Sequence, residues 1–182
     1  MDSFDVAVIG AGPAGSMAAR YAARAGASTV ILEEHPAVGW PVQCAGLLGS
    51  EALAESQLSP GPFLLQGMKG ASVISPGGLT LDFKAGDCRA WVVDRRLFDR
   101  ALAASAVREG AVLQLCSAAR TISRDGKGCT IHLEGGGGLR AAVVISAEGV
   151  QSKLARMAGI PPPRMILSGA QVEAPFRVRD PE

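Results

Sequence analysis

Phe4-Asp5-Val6-Ala7-Val8-Ile9-Gly10-Ala11-Gly12-Pro13-Ala14-Gly15-Ser16-Met17-Ala18-Ala19-Arg20 decides the fold, together with Ser28-Thr29-Val30-Ile31-Leu32-Glu33 that follows it. An apolar strand runs into Gly-x-Gly-x-x-Gly, an alanine-rich helix follows, and the next strand closes on an acid. Each part has a physical task. Gly10 permits a tight turn out of the strand, Gly12 lacks the β-carbon that would keep a pyrophosphate from the backbone, and Gly15 lets the helix lie close to the sheet. The N–H groups and dipole at the start of that helix, around Pro13 and Ala14, favour a diphosphate's negative charge. Glu33 stands at the spacing expected of an acceptor for a ribose hydroxyl, with Glu34 beside it. Strand, glycine turn, helix and acid in that order predict a βαβ dinucleotide-binding unit over 4–33, in which Gly26 ends the helix.

The rest of the chain reads outward from that unit. An irregular segment, His35 to Gly49, precedes a short helix at Ser50 to Gln57, which Ser59-Pro60-Gly61-Pro62 ends. Ala71 to Ser75 and Leu79 to Phe83, joined by Pro76-Gly77-Gly78, predict a β-hairpin. A helix is expected over Arg96 to Glu109, ended by Gly110, with a strand at Val112 to Leu115. Ala118 to Arg124 and Cys129 to Glu134 predict an antiparallel ribbon turned at Asp125-Gly126-Lys127-Gly128. A separate strand is expected near Leu139-Arg140-Ala141. Ala142 to Ser146, continuously apolar but for its last residue, predicts a parallel strand buried on both faces. Gln151 to Ala158 predicts a short helix, Pro161-Pro162-Pro163 a stiff joint, and Ala170 to Val178 a further strand.

Composition narrows the function. The 182 residues suit one domain or slightly more, and 48% of them are hydrophobic, enough for a substantial core. A formal charge of +1 argues against nucleic acid or an anionic membrane surface as the main partner. No apolar run is long enough to span a bilayer, and Asp2 and Asp5 interrupt any leader, so a cytoplasmic location is expected. The cysteines at 44, 88, 116 and 129 and the histidines at 35 and 132 share no metal-ligand spacing. The thiols are read as free, with burial expected for Cys116 at the end of its apolar run.

Two further segments act with the glycine turn. Val92-Val93-Asp94-Arg95-Arg96-Leu97-Phe98-Asp99 precedes the middle helix, and Ser146-Ala147-Glu148-Gly149-Val150-Gln151-Ser152-Lys153-Leu154-Ala155-Arg156 comes late. In this order the three resemble FAD-dependent oxidoreductases of the aromatic-hydroxylase type. They are most similar to the geranylgeranyl reductase branch, whose distinguishing stretch resembles Pro41-Val42-Gln43-Cys44-Ala45-Gly46. The resemblance implies an α/β fold: a Rossmann-like FAD-binding domain with an antiparallel ribbon crossover, plus the start of a β-rich substrate domain. Residues 1–66 and 92–160 are expected in the first, and 67–91 and 164–182 as segments of the second.

The resemblance also implies roles. Arg95, or Arg96 in its place, would reach the cofactor's phosphates, as a planar fork of donors can. Glu148 and Gly149 would approach the flavin side, although the family's aspartate is one methylene shorter than Glu148. Ala119, in the strand after the middle helix, would contact adenine through its backbone. Cys44 would face the flavin in a prenyl pocket and take part in proton delivery, or be an ordinary buried thiol. Gln43 would donate to the flavin or cap a turn, and Ala45 replaces the family's usual glycine. The implied activity is hydride transfer from FAD, reduced by an external donor, to carbon–carbon double bonds of geranylgeranyl or other isoprenoid chains. Such substrates imply peripheral contact with a membrane. The family's substrate sheet and later Gly-Asp motif are expected in a further carboxy-terminal portion, so the chain is read as the amino-terminal part of a longer enzyme or as a truncated product. A flavin monooxygenase on the same scaffold and a nucleotide-binding fragment without catalysis are the alternatives.

Overall fold

The computed structural model describes residues 1–172. In chain order the elements are β1 (Ser3–Ile9), α1 (Pro13–Arg24), β2 (Thr29–Leu32), β3 (Leu47–Gly49), α2 (Ser50–Glu55), β4 (Leu64–Met68), β5 (Gly70–Ile74) and β6 (Thr80–Lys84). Then follow β7 (Ala90–Val93), α3 (Arg95–Arg108), β8 (Val112–Gln114), β9 (Ala119–Asp125), β10 (Gly128–Leu133), β11 (Gly138–Ser146), a 3-10 turn (Gly149–Gln151) and α4 (Lys153–Met157). They sort into two compact units, residues 1–41 with 99–167 and residues 42–98 with 168–172.

The first unit holds a six-stranded sheet in the order β8-β2-β1-β11-β10-β9. β8, β2, β1 and β11 run parallel, whereas β10 and β9 are antiparallel neighbours at one edge. Side chains alternate across the pleat, and the two faces carry separate cores. Val8 and Ile31 point to one, with Ala19 and Ala23 of α1 and Ala103 and Ala106 of α3. Ala7, Ile9, Val30 and Leu32 point to the other, with Ile131, Leu139, Ala141 and Leu154. Small alanines on the helix side let α1 and α3 approach closely. Burial of each large side chain contributes about 1.5–3 kcal/mol.

Helix α1 begins with Pro13, whose missing N–H costs nothing at that position. It ends where Gly26 takes φ +90° and the N–H groups of Gly26 and Ala27 reach back to the carbonyls of Ala23 and Ala22 at 2.8 and 3.1 Å. This is a Schellman cap, which satisfies otherwise orphaned carbonyls.

The second unit contains a three-stranded antiparallel sheet, β3-β7-β4, and the hairpin β5-β6. Residues 42–66, expected with the cofactor domain, fall in this unit, because β3 and β4 both pair with β7. Phe63 and Phe98 pack edge to face at 5.5 Å in its interior.

Two expectations need correction. Residues 139–146 form one strand: β11 pairs antiparallel with β10 through Gly138 to Ala141 and parallel with β1 from Arg140 to Ser146. Its apolar end is not buried on both faces, since Val143 is 53% exposed. Cys116 is exposed too, because β8 stops at Gln114 and Cys116 sits on the loop beyond, with φ +51°. All four thiols are free. The described part of the strand expected at 170–178, residues 170–172, is not in a strand; the remainder lies outside the described residues.

Candidate functional site

The glycine turn lies at the carboxyl ends of the parallel strands, the edge at which open α/β sheets bind ligands. Its three glycines differ in what surrounds them. Gly10 has φ +101°, and a β-carbon there would meet the Ala147 carbonyl oxygen at 2.5 Å. At Gly15 a β-carbon would overlap the Gly10 carbonyl oxygen. These two are required by the protein's own packing. Gly12 is not: its backbone is extended, and a β-carbon there would meet nothing within 4 Å. The space above Gly12 is left open at the start of a twelve-residue helix whose first turn carries no acid and whose end no side chain caps. Ser16, fully buried, braces the turn by donating its hydroxyl to the Ala11 carbonyl at 2.9 Å.

Glu33 follows the last residue of β2 and is 8% exposed. Its Oε2 accepts the Ala11 N–H at 2.8 Å, tying the acid to the glycine turn. Its Oε1 accepts the His35 backbone N–H at 3.0 Å and contacts His35 Nδ1 at 2.6 Å. Glu34 is exposed, its carboxylate 3.9 Å from His35 Nε2. The loop after β8 lies against this segment: Ser117 N–H donates to the Glu33 carbonyl at 2.8 Å, and Cys116 N–H to the His35 carbonyl at 3.1 Å. Ser16, His35, Cys116 and Ser117 were not among the predicted site residues. Only their contacts across the chain mark them.

Glu148 is held by its own chain. Its Oε1 accepts the Leu154 N–H at 3.0 Å, and its Oε2 accepts the Ala155 N–H at 3.1 Å and the Ser146 hydroxyl at 2.7 Å. The side chain therefore caps α4, the favourable place for a carboxylate. Gly149, with φ +72°, turns the chain beside it. Ala119 is not in the strand after the middle helix. That strand is β8, and Ala119 opens β9 with its side chain packed against the second core.

The remaining predicted residues belong to the second unit. Gln43 and Ala45 are exposed and Cys44 is half-buried, its sulfur accepting the Gly46 N–H at 3.4 Å. Gly46 anchors this loop to β7: its carbonyl accepts the Val93 N–H at 2.8 Å, its φ is +82°, and a β-carbon would strike the Val93 carbonyl. β7 leads into Asp94, whose Oδ1 accepts the N–H groups of Arg96 and Leu97 at 2.9 and 3.3 Å. The Arg96 guanidinium, hydrogen-bonded to Asp94, holds this carboxyl below the usual carboxylate range, and the two backbone donors add to the effect. Asp94 thus explains how a cation is accommodated at a helix start. It ties down Arg96, whereas Arg95 is half-buried at the first helical position.

A parallel sheet, a glycine turn with one deliberate opening and an acid hydrogen-bonded beneath it define a nucleotide-binding βαβ protein. The sequence pattern of the FAD dependent oxidoreductase family matches residues 5–162, and the chain belongs to that family. It is 38% identical over 165 residues to the digeranylgeranylglycerophospholipid reductase of Methanosphaerula palustris, an overlap of 86% of this chain and 41% of that protein. Digeranylgeranylglycerophospholipid reductase 1 of Methanopyrus kandleri is 36% identical over 187 residues, covering 98% of this chain and 49% of its own length. The crystal structure of a geranylgeranyl bacteriochlorophyll reductase-like protein from Thermoplasma acidophilum superposes with a TM-score of 0.80 at 34% identity, over 87% of this chain and 42% of that one. The resemblance to the geranylgeranyl reductase branch and the α/β fold class are borne out. The chain spans less than half the length of these relatives.

Proposed function

We propose that this chain is the cofactor-binding portion of an FAD-dependent reductase that saturates carbon–carbon double bonds in geranylgeranyl chains of isoprenoid lipids. The observation that carries the cofactor reading is the contrast among the three glycines: only Gly12 faces open space, as a close-lying pyrophosphate requires. The substrate class rests on the names of the relatives, each of which is called a geranylgeranyl-type reductase.

In this reading Gly10, Gly12, Pro13, Ala14 and Gly15 hold the pyrophosphate at the start of α1, and Glu33, with Glu34 at the rim, takes the ribose. Arg95 supplies positive charge to phosphate. Glu148 and Gly149 approach the flavin side, and Glu148 fixes the turn there by accepting three donors from its own chain. Ala45 and Cys44 line the flavin side of the substrate site, with Gln43 as a hydrogen-bond donor there and Cys44 beside the alkene as the group that holds a proton. When bound, FAD supplies the hydride, received from an external donor, and a proton completes each saturation. A substrate this apolar is taken from a bilayer surface; among the described residues no helix is long and apolar enough to cross one.

The test is a titration of the 182-residue chain with FAD. Binding is expected, and Gly12→Val should weaken it about tenfold or more by filling the opening, with little change in melting temperature. No affinity for FAD, or an affinity that Gly12→Val leaves untouched, would sink the reading. The saturation step is checked by offering a geranylgeranyl lipid to the dithionite-reduced protein completed by its carboxy-terminal portion. The expected product gains one hydrogen molecule per double bond. Oxygen-dependent hydroxylation of a phenol in its place would assign a monooxygenase.

A further inference from the structure

Glu33 is engaged on both oxygens before any ligand is considered. Oε2 accepts the Ala11 N–H, and Oε1 accepts both the main-chain N–H of His35 and its ring nitrogen Nδ1. An ionised carboxylate can only accept, so Nδ1 carries the hydrogen in that 2.6 Å contact. The other ring nitrogen, Nε2, is 3.9 Å from Glu34, beyond hydrogen-bond reach. A carboxylate offers about four acceptor directions. The contacts at Oε1 fill both of its own, and Ala11 fills one of the two at Oε2. The ring is also mounted on anchored backbone, because the carbonyls of Glu33 and His35 accept Ser117 and Cys116 N–H groups.

The geometry points to His35 as a positioning residue for Glu33: its two N–H groups hold the carboxylate so that one acceptor direction, on Oε2, remains for one ribose hydroxyl of an adenine nucleotide. This rests on the reading of Glu33 as the ribose acceptor. The consequence is selectivity between the two hydroxyls of the ribose. A carboxylate held on one oxygen by only the main chain can rotate and accept from either hydroxyl or from water. One clamped by the ring accepts from one.

Calorimetric titration of the 182-residue chain with ADP, 2′-deoxy-ADP and 3′-deoxy-ADP tests this, with the melting temperature of each variant measured alongside. In the wild type one deoxy nucleotide should bind about tenfold or more weakly than ADP, and the other within roughly twofold. In His35→Ala, and in His35→Gln, whose amide takes the place of Nε2, the two deoxy nucleotides should bind within roughly threefold of each other. His35→Asn, whose amide nitrogen takes the place of Nδ1, should restore the wild-type ratio. Should the alanine variant not fold, the glutamine and asparagine variants carry the same comparison. A wild-type ratio retained in His35→Gln and His35→Ala overturns the inference and leaves the role of Glu33 standing. Equal affinity of the wild type for all three nucleotides, or no binding of ADP, overturns the role of Glu33 and the inference together.

Discussion

β1 with β2 and β5 with β6 are two pairs of apolar strands in different units, with opposite fates. Ala7, Val8, Val30 and Ile31 are fully buried, whereas Val73, Ile74, Leu81 and Phe83 are each more than half exposed. Their residue types do not separate them. The hairpin is amphipathic, with the Ala71–Phe83 and Val73–Leu81 pairs on one face and Ser72 hydrogen-bonded to Asp82 at 2.6 Å on the other. Helices and a second core cover the faces of β1 and β2. Among the described residues nothing buries the apolar face of β5-β6, and a lone hairpin is marginal at best. Stability in this chain follows cover, not composition.

That contrast can be broken by substitution. Ile31→Ala should cost about 2–5 kcal/mol, seen as a large fall in the denaturant midpoint, because its cavity cannot collapse between sheet and alanine-lined helices. Leu81→Ala should stay within about 0.5 kcal/mol of wild type. A large loss from Leu81→Ala would show that the hairpin face is covered in solution. The glycines sharpen the comparison inside the first unit. Gly15→Ala should cost roughly 1–3 kcal/mol by driving a methyl group into the Gly10 carbonyl, while Gly12→Ala should cost less than about 1 kcal/mol. Equal melting temperatures for the two variants would mean that the turn is looser than described. In the second unit, Asp94→Ala removes the α3 cap and should cost about 1 kcal/mol near neutral pH. The folded-state pKa of Asp94 is depressed. Its contribution is therefore complete above the ordinary carboxylate value of about 4 and fades as pH falls through the lower folded value, so variant and wild type should converge in acid.

The βαβ unit was legible because its signals are local. The apolar runs of β1 and β2, Pro13 and the Gly26 cap sit within a few residues of what they control. The β5-β6 hairpin was legible for the same reason, through Pro76-Gly77-Gly78. β3 and β4 were not: Leu47-Leu48-Gly49 and Leu64-Leu65-Gln66-Gly67-Met68 show no alternation, and only pairing with the distant β7 makes them strands. The apolar run in β11 announced a strand but not what lies over it, hence the exposed Val143. In the site, Gly10 and Gly15 follow from the turn itself. The partners of Glu33 and Glu148 depend on side-chain direction and on loops from elsewhere in the chain, which spacing does not encode.

In β11 the centre of the first unit's sheet acquires a timing constraint. Ser3 faces Arg140 and Ile9 faces Ser146, so β1 waits for a strand far later in the chain before its second edge is closed. Non-local pairings of this kind are slow to form. Until residues 140–146 emerge, β1 presents a bare hydrogen-bonding edge of the sort that recruits other chains. Nascent chains arrested before Arg140 should accordingly depend on a holding chaperone, and those arrested once Ser146 has cleared the exit tunnel should not.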